Sequence, residues 1–321
     1  MNFVLSEMTF MRYFIPLIIE GNRKNISSTV FVNSNNNKYN NPLKHWSFLD
    51  GLAKKYDFQL KDIKEISNHS GIVFMIEGVG VEYLNEKHKK ISLTYMVDFV
   101  PSYGKYIDKV DYVVFPSKFI AEYYGILSDK NLYLGSPKYD IQHNKQEILK
   151  KYNIQQDKKL ALVVFPRKRD LNKANLDKIY SYLKDTGYTI LVKTRGKDPV
   201  EKKYHGDYYF VDYSWFPHDT LELLYISDVL INFGSTAIKE AALMNTPAID
   251  FNIKPADVLR GFDFLYKHNF CSVLQPDVSY EKFCFELNNL LSLNLENEYD
   301  IIREKYFFEP GSSSRIFEEI L

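Results

Sequence analysis

Short runs of β-branched and aromatic residues alternate along the chain with stretches whose apolar positions recur every three to four residues. The first pattern predicts strands and the second amphipathic helices, so their alternation predicts parallel βαβ units. Two series are visible. The first predicts strands at Asn2–Leu5, Thr29–Val32, Gly71–Met75, Ile91–Thr94, Tyr112–Phe115 and Leu132–Leu134. The second begins after the charged segment Asn144–Lys159 and predicts strands at Leu160–Phe165, Thr189–Lys193, Tyr208–Val211, Val229–Phe233, Ala248–Phe251 and Ser272–Leu274. Helices are expected at Asn175–Thr186, Thr220–Ser227, Ser235–Met244, Tyr280–Leu293 and Tyr299–Tyr306. Asp219 and Glu222 have the spacing of a capping box. Pro310-Gly311 precedes a last helix, Ser313–Leu321, with Ser312 as its N-cap. The Asn-rich run Asn33–Tyr39, continued by Asn40 and Asn41, reads as a surface loop, with a substrate-facing lid as the alternative.

At 321 residues the chain is about twice the usual domain length, which predicts two domains, residues 1–152 and 153–321, each with its own core. Lysine plus arginine equals aspartate plus glutamate at 41 each, so the field that draws a nucleic acid is missing and an anionic ligand must be met by local cations. Cys271 and Cys284 fall in different predicted elements without a CxxC or CxxH neighbour, which argues against a disulfide framework or a zinc site. The apolar start, Met1–Gly21, is interrupted by Glu7, Arg12 and Glu20 and lacks the basic opening and cleavage site of an export signal. No run of about 18 apolar residues occurs. A cytoplasmic protein is expected, with a peripheral membrane contact at most.

In an open parallel sheet a ligand sits beyond the carboxyl ends of the strands, where helix starts offer N–H groups. The segment Ser227–Asp250 has that form: a strand, the turn Gly234-Ser235-Thr236, a helix, Pro247 at its exit and a second strand. Gly234 lets backbone approach a phosphate, Ser235 and Thr236 add hydroxyl donors, and Glu240 could accept from ribose hydroxyls. The plain alternative is a strand-to-helix turn followed by a solvated glutamate. Two basic clusters stand at predicted strand ends, Arg167 and Arg169 after the first strand of the second series and Lys193 with Arg195 after the second. They could neutralise a diphosphate and stabilise it as a leaving group, or be ordinary solvated loop charges.

The segment from Ser227 to Asp250 resembles the nucleotide-binding motif of the GT-B superfamily, which includes nucleotide-sugar glycosyltransferases and UDP-N-acetylglucosamine 2-epimerases. In that family a helix carries a Glu seven residues before the Pro of a Gly-x-Pro turn, and Glu240 and Pro247 keep this spacing. Asn245 stands in place of the Gly, and Lys239 replaces the first of the epimerases' paired glutamates. Leu134–Asp140 is similar to the segment closing the family's first domain, Phe216–Asp219 to its approach to the nucleotide motif, and Glu309–Arg315 to the start of a last helix that packs back toward the first domain. Lys193 followed by Thr194-Arg195-Gly196 is similar to the family's basic phosphate contact.

The resemblance implies an α/β GT-B fold, two Rossmann-like parallel-sheet domains facing across a cleft, with the nucleotide held by the second and the acceptor by the first. It implies a transferase moving a sugar, from a UDP-sugar by family frequency, to a glycan, lipid-linked or small-molecule hydroxyl in surface polysaccharide synthesis. The nucleotide-sugar is then a co-substrate and no cofactor is needed. Candidates for the catalytic base are Glu7 in the first strand-to-helix loop, Glu77, and Asp98 before Pro101. Glu77 leads because Gly78 and Gly80 would permit close approach of a sugar, although each carboxylate could instead be a cap or a solvated charge. Gly78-Val79-Gly80 is no dinucleotide fingerprint, since Tyr83 stands where its third glycine belongs. The chain also lacks a P-loop, an Asp-x-Asp metal clamp, and HxxxH or HExxH pairs, so a metal-independent reaction is expected. Rival readings are a nucleotide-sugar 2-epimerase, a CDP-polyol phosphate transferase of the same fold, and a two-domain binding protein without catalysis.

Overall fold

The computed structural model describes residues 1–33, 40–95, 100–155, 157–194, 200–211, 215–253, 263–308 and 310–321. The chain separates into two compact units, Met1–Ile141 with Glu304–Leu321, and Gln142–Arg303.

The first unit is built on β1 (Asn2–Leu5), β2 (Thr29–Val32), β3 (Gln59–Asp62), β4 (Gly71–Ile76), β5 (His88–Leu93), β6 (Tyr112–Phe115) and β7 (Asn131–Tyr133). Their order is β3-β2-β1-β4-β5-β6-β7, and every pair is parallel. Between the strands run α1 (Met11–Arg23), α2 (Trp46–Tyr56), α3 (Val100–Tyr106) and α4 (Lys118–Tyr123). A central strand covered on both faces must be apolar throughout, and all four residues of β1 are buried. Phe3 packs on Phe14 of α1 at 5.1 Å and on Phe74 of β4 at 5.4 Å, centroid to centroid. The sequence pattern does not predict β3, because its polar residues Gln59, Lys61 and Asp62 suit a partly exposed edge strand.

Residues 34–39 of the Asn-rich run lie outside the described residues, and with them the proposed lid. Its flanks are structural. The Asn41 side chain accepts the Leu43 N–H at 2.8 Å and so caps a short 3-10 helix, and the Asn40 carbonyl accepts the Met8 N–H at 2.9 Å.

The last helix, α11 (Ser312–Ile320), belongs to the first unit. Its start is not capped by Ser312, which is the first helical residue; the cap comes from Asp140. One Asp140 oxygen accepts the N–H groups of Gly311 at 3.0 Å and Ser312 at 2.9 Å, and the other accepts that of Ser313 at 2.5 Å. Arg315 donates to the Leu134 carbonyl at 3.1 Å and the Pro310 carbonyl at 2.7 Å. Gly135, at φ +87°, has no room for a Cβ, which would meet the Ser312 hydroxyl and come within 2.7 Å of the Phe308 carbonyl. The segments Leu134–Asp140 and Pro310–Arg315 are therefore one joint that fastens α11.

The second unit holds β8 (Leu160–Val164), β9 (Thr189–Lys193), β10 (Tyr208–Phe210), β11 (Val229–Asn232), β12 (Ala248–Phe251) and β13 (Cys271–Leu274) in the order β10-β9-β8-β11-β12-β13, again all parallel. Each strand expected in the second series is present, with small shifts at its ends. The helices are α5 (Lys145–Tyr152), α6 (Leu176–Asp185), α7 (Asp219–Ile226), α8 (Ala237–Leu243), α9 (Tyr280–Ser292) and α10 (Glu296–Ile302). The unit begins ahead of α5, whereas the sequence-based division at residue 152 falls behind it; Lys151 and Tyr152 both bind Glu222 of α7, at 2.6 Å and 2.5 Å. Glu222 is thus no capping-box partner; His218 is the N-cap, and Asp219, the first helical residue, accepts the Thr220 N–H on Oδ1 at 3.0 Å. Among the described residues no helix is long and apolar enough to cross a membrane.

Candidate functional site

In both sheets the chain runs outward from a central strand, then returns to that strand's other side and runs the opposite way. The strands where the direction reverses are β1 and β4 in the first sheet and β8 and β11 in the second. Loops leaving such a pair diverge above and below the sheet, which opens a crevice at their carboxyl ends. Glu7 and Glu77 follow β1 and β4; Arg167 and Gly234-Ser235-Thr236 follow β8 and β11. Sequence-selected residues therefore stand at both reversal points.

The turn after β11 is fastened from below. Gly234 adopts φ +63° and donates its N–H to Asp250 Oδ1 at 2.8 Å. The same oxygen accepts Asn232 Nδ2 at 2.6 Å, and that Nδ2 also donates to the Ser235 carbonyl at 3.0 Å. The Gly234 amide is thus bound inward. Gly234, Ser235 and Thr236 are half-buried, and α8 beyond them has only seven residues, so few peptide dipoles add up behind the turn.

Beside the turn lies a line of ionisable side chains removed from water. Lys193 Nζ is 3.2 Å from Asp219 Oδ2, with the side chains 5% and 4% exposed. The adjoining His218, at the N-cap of α7, places Nδ1 3.8 Å from Oε1 of Glu240, and both side chains are nearly buried. Glu240 is therefore not a solvated helix residue. Lys193 was expected to offer its charge to a phosphate, yet that charge is already matched by Asp219, and its ammonium also donates to the Thr194 carbonyl at 2.8 Å. Arg167 and Arg169 are exposed, and Arg169 pairs with its neighbour Asp170 at 3.6 Å. Arg195 lies outside the described residues. Sequence reasoning overlooked His218, Asp219 and Asp250 as site residues; the one available signal was His218-Asp219 directly ahead of a helix in the segment likened to the family's approach.

In the first unit Glu7 accepts the Asn40 side chain at 2.5 Å and Thr9 Oγ1 at 3.5 Å, which holds the loop after β1. Glu77 is half-buried and adopts a left-handed φ of +48°, a conformation that disfavours any residue with a Cβ. Burial pushes the Tyr106 hydroxyl pKa up, and the neighbouring Glu77 carboxylate pushes it the same way. Packing alone requires the glycines after Glu77: a Cβ on Gly78 would meet Tyr106, and one on Gly80 would meet Val4. Asp98 lies outside the described residues.

Solved structures of like architecture were found across nearly the whole chain. A wall teichoic acid polymerase, TagF, aligns with a TM-score of 0.68 at 15% identity, over 99% of this chain and 86% of that one. A Listeria monocytogenes protein provisionally assigned as a UDP-N-acetylglucosamine 2-epimerase aligns with a TM-score of 0.65 at 11% identity, over 98% and 94%. The glycotransferase of kitacinnamycin aligns with a TM-score of 0.61 at 10% identity, over 100% and 98%. At such identities the likeness is one of fold, and the fold is GT-B, two Rossmann-like parallel-sheet domains. No curated protein sequence matches the chain. The family model described as protein of unknown function (DUF354) matches residues 106–279, from the end of α3 to the cap of α9 and more than half of the chain. The chain belongs to that family.

Proposed function

We propose that the chain is a glycosyltransferase that moves a sugar from a nucleotide-sugar, a UDP-sugar in the first instance, to a hydroxyl acceptor without a metal ion. The observation that carries this reading is the buried line Lys193–Asp219–His218–Glu240 beside the half-buried turn Gly234-Ser235-Thr236. Burying charges destabilises a fold even when they are paired, so a cluster of them near strand carboxyl ends points to a site. In this reading the Ser235 and Thr236 hydroxyls and the Thr236 N–H hold the diphosphate, with Arg167 adding charge from its exposed loop. Glu240 accepts from the ribose hydroxyls, oriented by His218. Lys193 balances the Asp219 carboxylate, so that this buried charge does not repel the anion. Glu77 or Glu7 takes the proton of the acceptor hydroxyl; the new bond forms from that oxygen to the anomeric carbon as the bond to the diphosphate oxygen breaks, and the nucleotide leaves with the electron pair. The missing Asp-x-Asp triplet supports metal independence, and the transferases among the similar folds support transfer as the reaction class.

Calorimetric titration with UDP, CDP, UDP-N-acetylglucosamine and CDP-glycerol tests the reading. Preferential binding of a uridine nucleotide is the expected result. Selective binding of CDP-glycerol would move the donor class to an activated polyol phosphate, and failure to bind any nucleotide would overturn the proposal. Epimerisation of UDP-N-acetylglucosamine at C2, or its loss of UDP to yield N-acetylmannosamine, without an acceptor would make the protein an epimerase.

A further inference from the structure

Asn232 and Asp250 are both fully buried, and the register of β11 with β12 sets them side by side. Their neighbours on the same strands, Leu230, Ile231, Ala248, Ile249 and Phe251, are apolar and equally buried. An apolar pair would serve the sheet better, because buried polar groups destabilise unless every one is satisfied. Here satisfaction is incomplete: Asn232 Oδ1 has no hydrogen-bond partner among the described residues.

What the pair holds is backbone. The Gly234 N–H is drawn to Asp250 at 2.8 Å, and the Ser235 carbonyl to Asn232 at 3.0 Å. A trans peptide directs its C=O and N–H to opposite sides. Drawing the Gly234 N–H inward turns the Phe233 carbonyl outward, and drawing the Ser235 carbonyl inward turns the Thr236 N–H outward. We propose that Asn232 and Asp250 are positioning residues that withdraw the Gly234 amide from the ligand and present the Thr236 N–H, with the Ser235 and Thr236 hydroxyls, to a diphosphate oxygen. The Phe233 carbonyl beside it repels a second anionic oxygen and suits a sugar hydroxyl, which selects a glycosylated diphosphate over a free one. This inference rests on the nucleotide reading above.

The test is titration of the wild type, Asp250→Asn and Asp250→Ala with UDP and, separately, with inorganic pyrophosphate, each variant's thermal unfolding being recorded alongside. Asparagine keeps an oxygen for the Gly234 N–H, so Asp250→Asn should bind both probes within about threefold of wild type, while Asp250→Ala frees that amide to face the anion and lets the Phe233 carbonyl turn away, so it should bind UDP and pyrophosphate about tenfold more tightly, the gain of one hydrogen bond to a charged ligand. Equal or weaker affinity in Asp250→Ala than in the wild type, or an equal change in both variants, would overturn the positioning role. Should Asp250→Ala fail to fold, Asn232→Ala frees the Ser235 carbonyl, lets the Thr236 N–H turn away and should lose about tenfold, one charge-assisted hydrogen bond, with unchanged affinity overturning the role. Failure of the wild type to bind either probe would instead overturn the nucleotide reading.

Discussion

Lys193 and Asp219 show how a residue chosen for one task can be found performing another. A cation at a strand end looks available to a phosphate, but at 3.2 Å from a buried carboxylate it first keeps that carboxylate tolerable. Lys193→Ala should therefore destabilise the protein by about 3 kcal/mol, the usual consequence of stranding a buried charge, while Lys193→Met combined with Asp219→Leu should recover most of the loss. Urea unfolding of Lys193→Met, Asp219→Leu and the double variant decides this, and a double variant as unstable as the sum of the singles would show the two side chains to be independent. Glu240→Ala should weaken nucleotide binding by about tenfold, one charge-assisted hydrogen bond, with the fold intact. Unchanged affinity in calorimetry would remove Glu240 from the site. Glu77 carries backbone strain at φ +48°. Glu77→Gly should stabilise the fold by about 1 kcal/mol by relieving it, and should lower turnover by about a hundredfold or more if this carboxylate is the base. A more stable variant with full turnover would hand the role to Glu7.

At the scale of elements, α11 depends on a carboxylate far away in sequence. Asp140→Ala leaves the first N–H groups of the helix without their acceptor and should lower stability by about 1–2 kcal/mol, with amide exchange accelerating first along Ser312–Ile320. Uniform exchange changes across the chain would contradict a local cap. The contrast with the strands is instructive. Buried parallel strands are apolar runs whatever surrounds them, so nearly all of both sheets could be read from pattern alone. Caps are chosen by tertiary placement: Ser312 and the Asp219–Glu222 spacing both obey the local rule, yet the actual partners are Asp140 for α11 and Lys193, Lys151 and Tyr152 for the two acids. Gly78 and Gly80 likewise read as openings for a ligand, and are places where Tyr106 and Val4 press against the backbone.

Across the whole molecule, two doubly wound sheets place chemistry-bearing loops at their reversal points, and this much follows from strand order alone. The turn Gly234-Ser235-Thr236 and Glu240 were legible because both lie within one continuous strand–turn–helix segment. His218 and Asp250 were not, since they reach the same region from other loops and strands and only the fold brings them there. The GT-B fold and membership of the DUF354 family leave the reaction to be decided by this region. A crystal structure determined after soaking with UDP addresses it most directly. Its diphosphate should lie against the Thr236 N–H and the hydroxyls of Ser235 and Thr236, with the ribose on Glu240; a nucleotide bound elsewhere, with that turn left untouched, would contradict it.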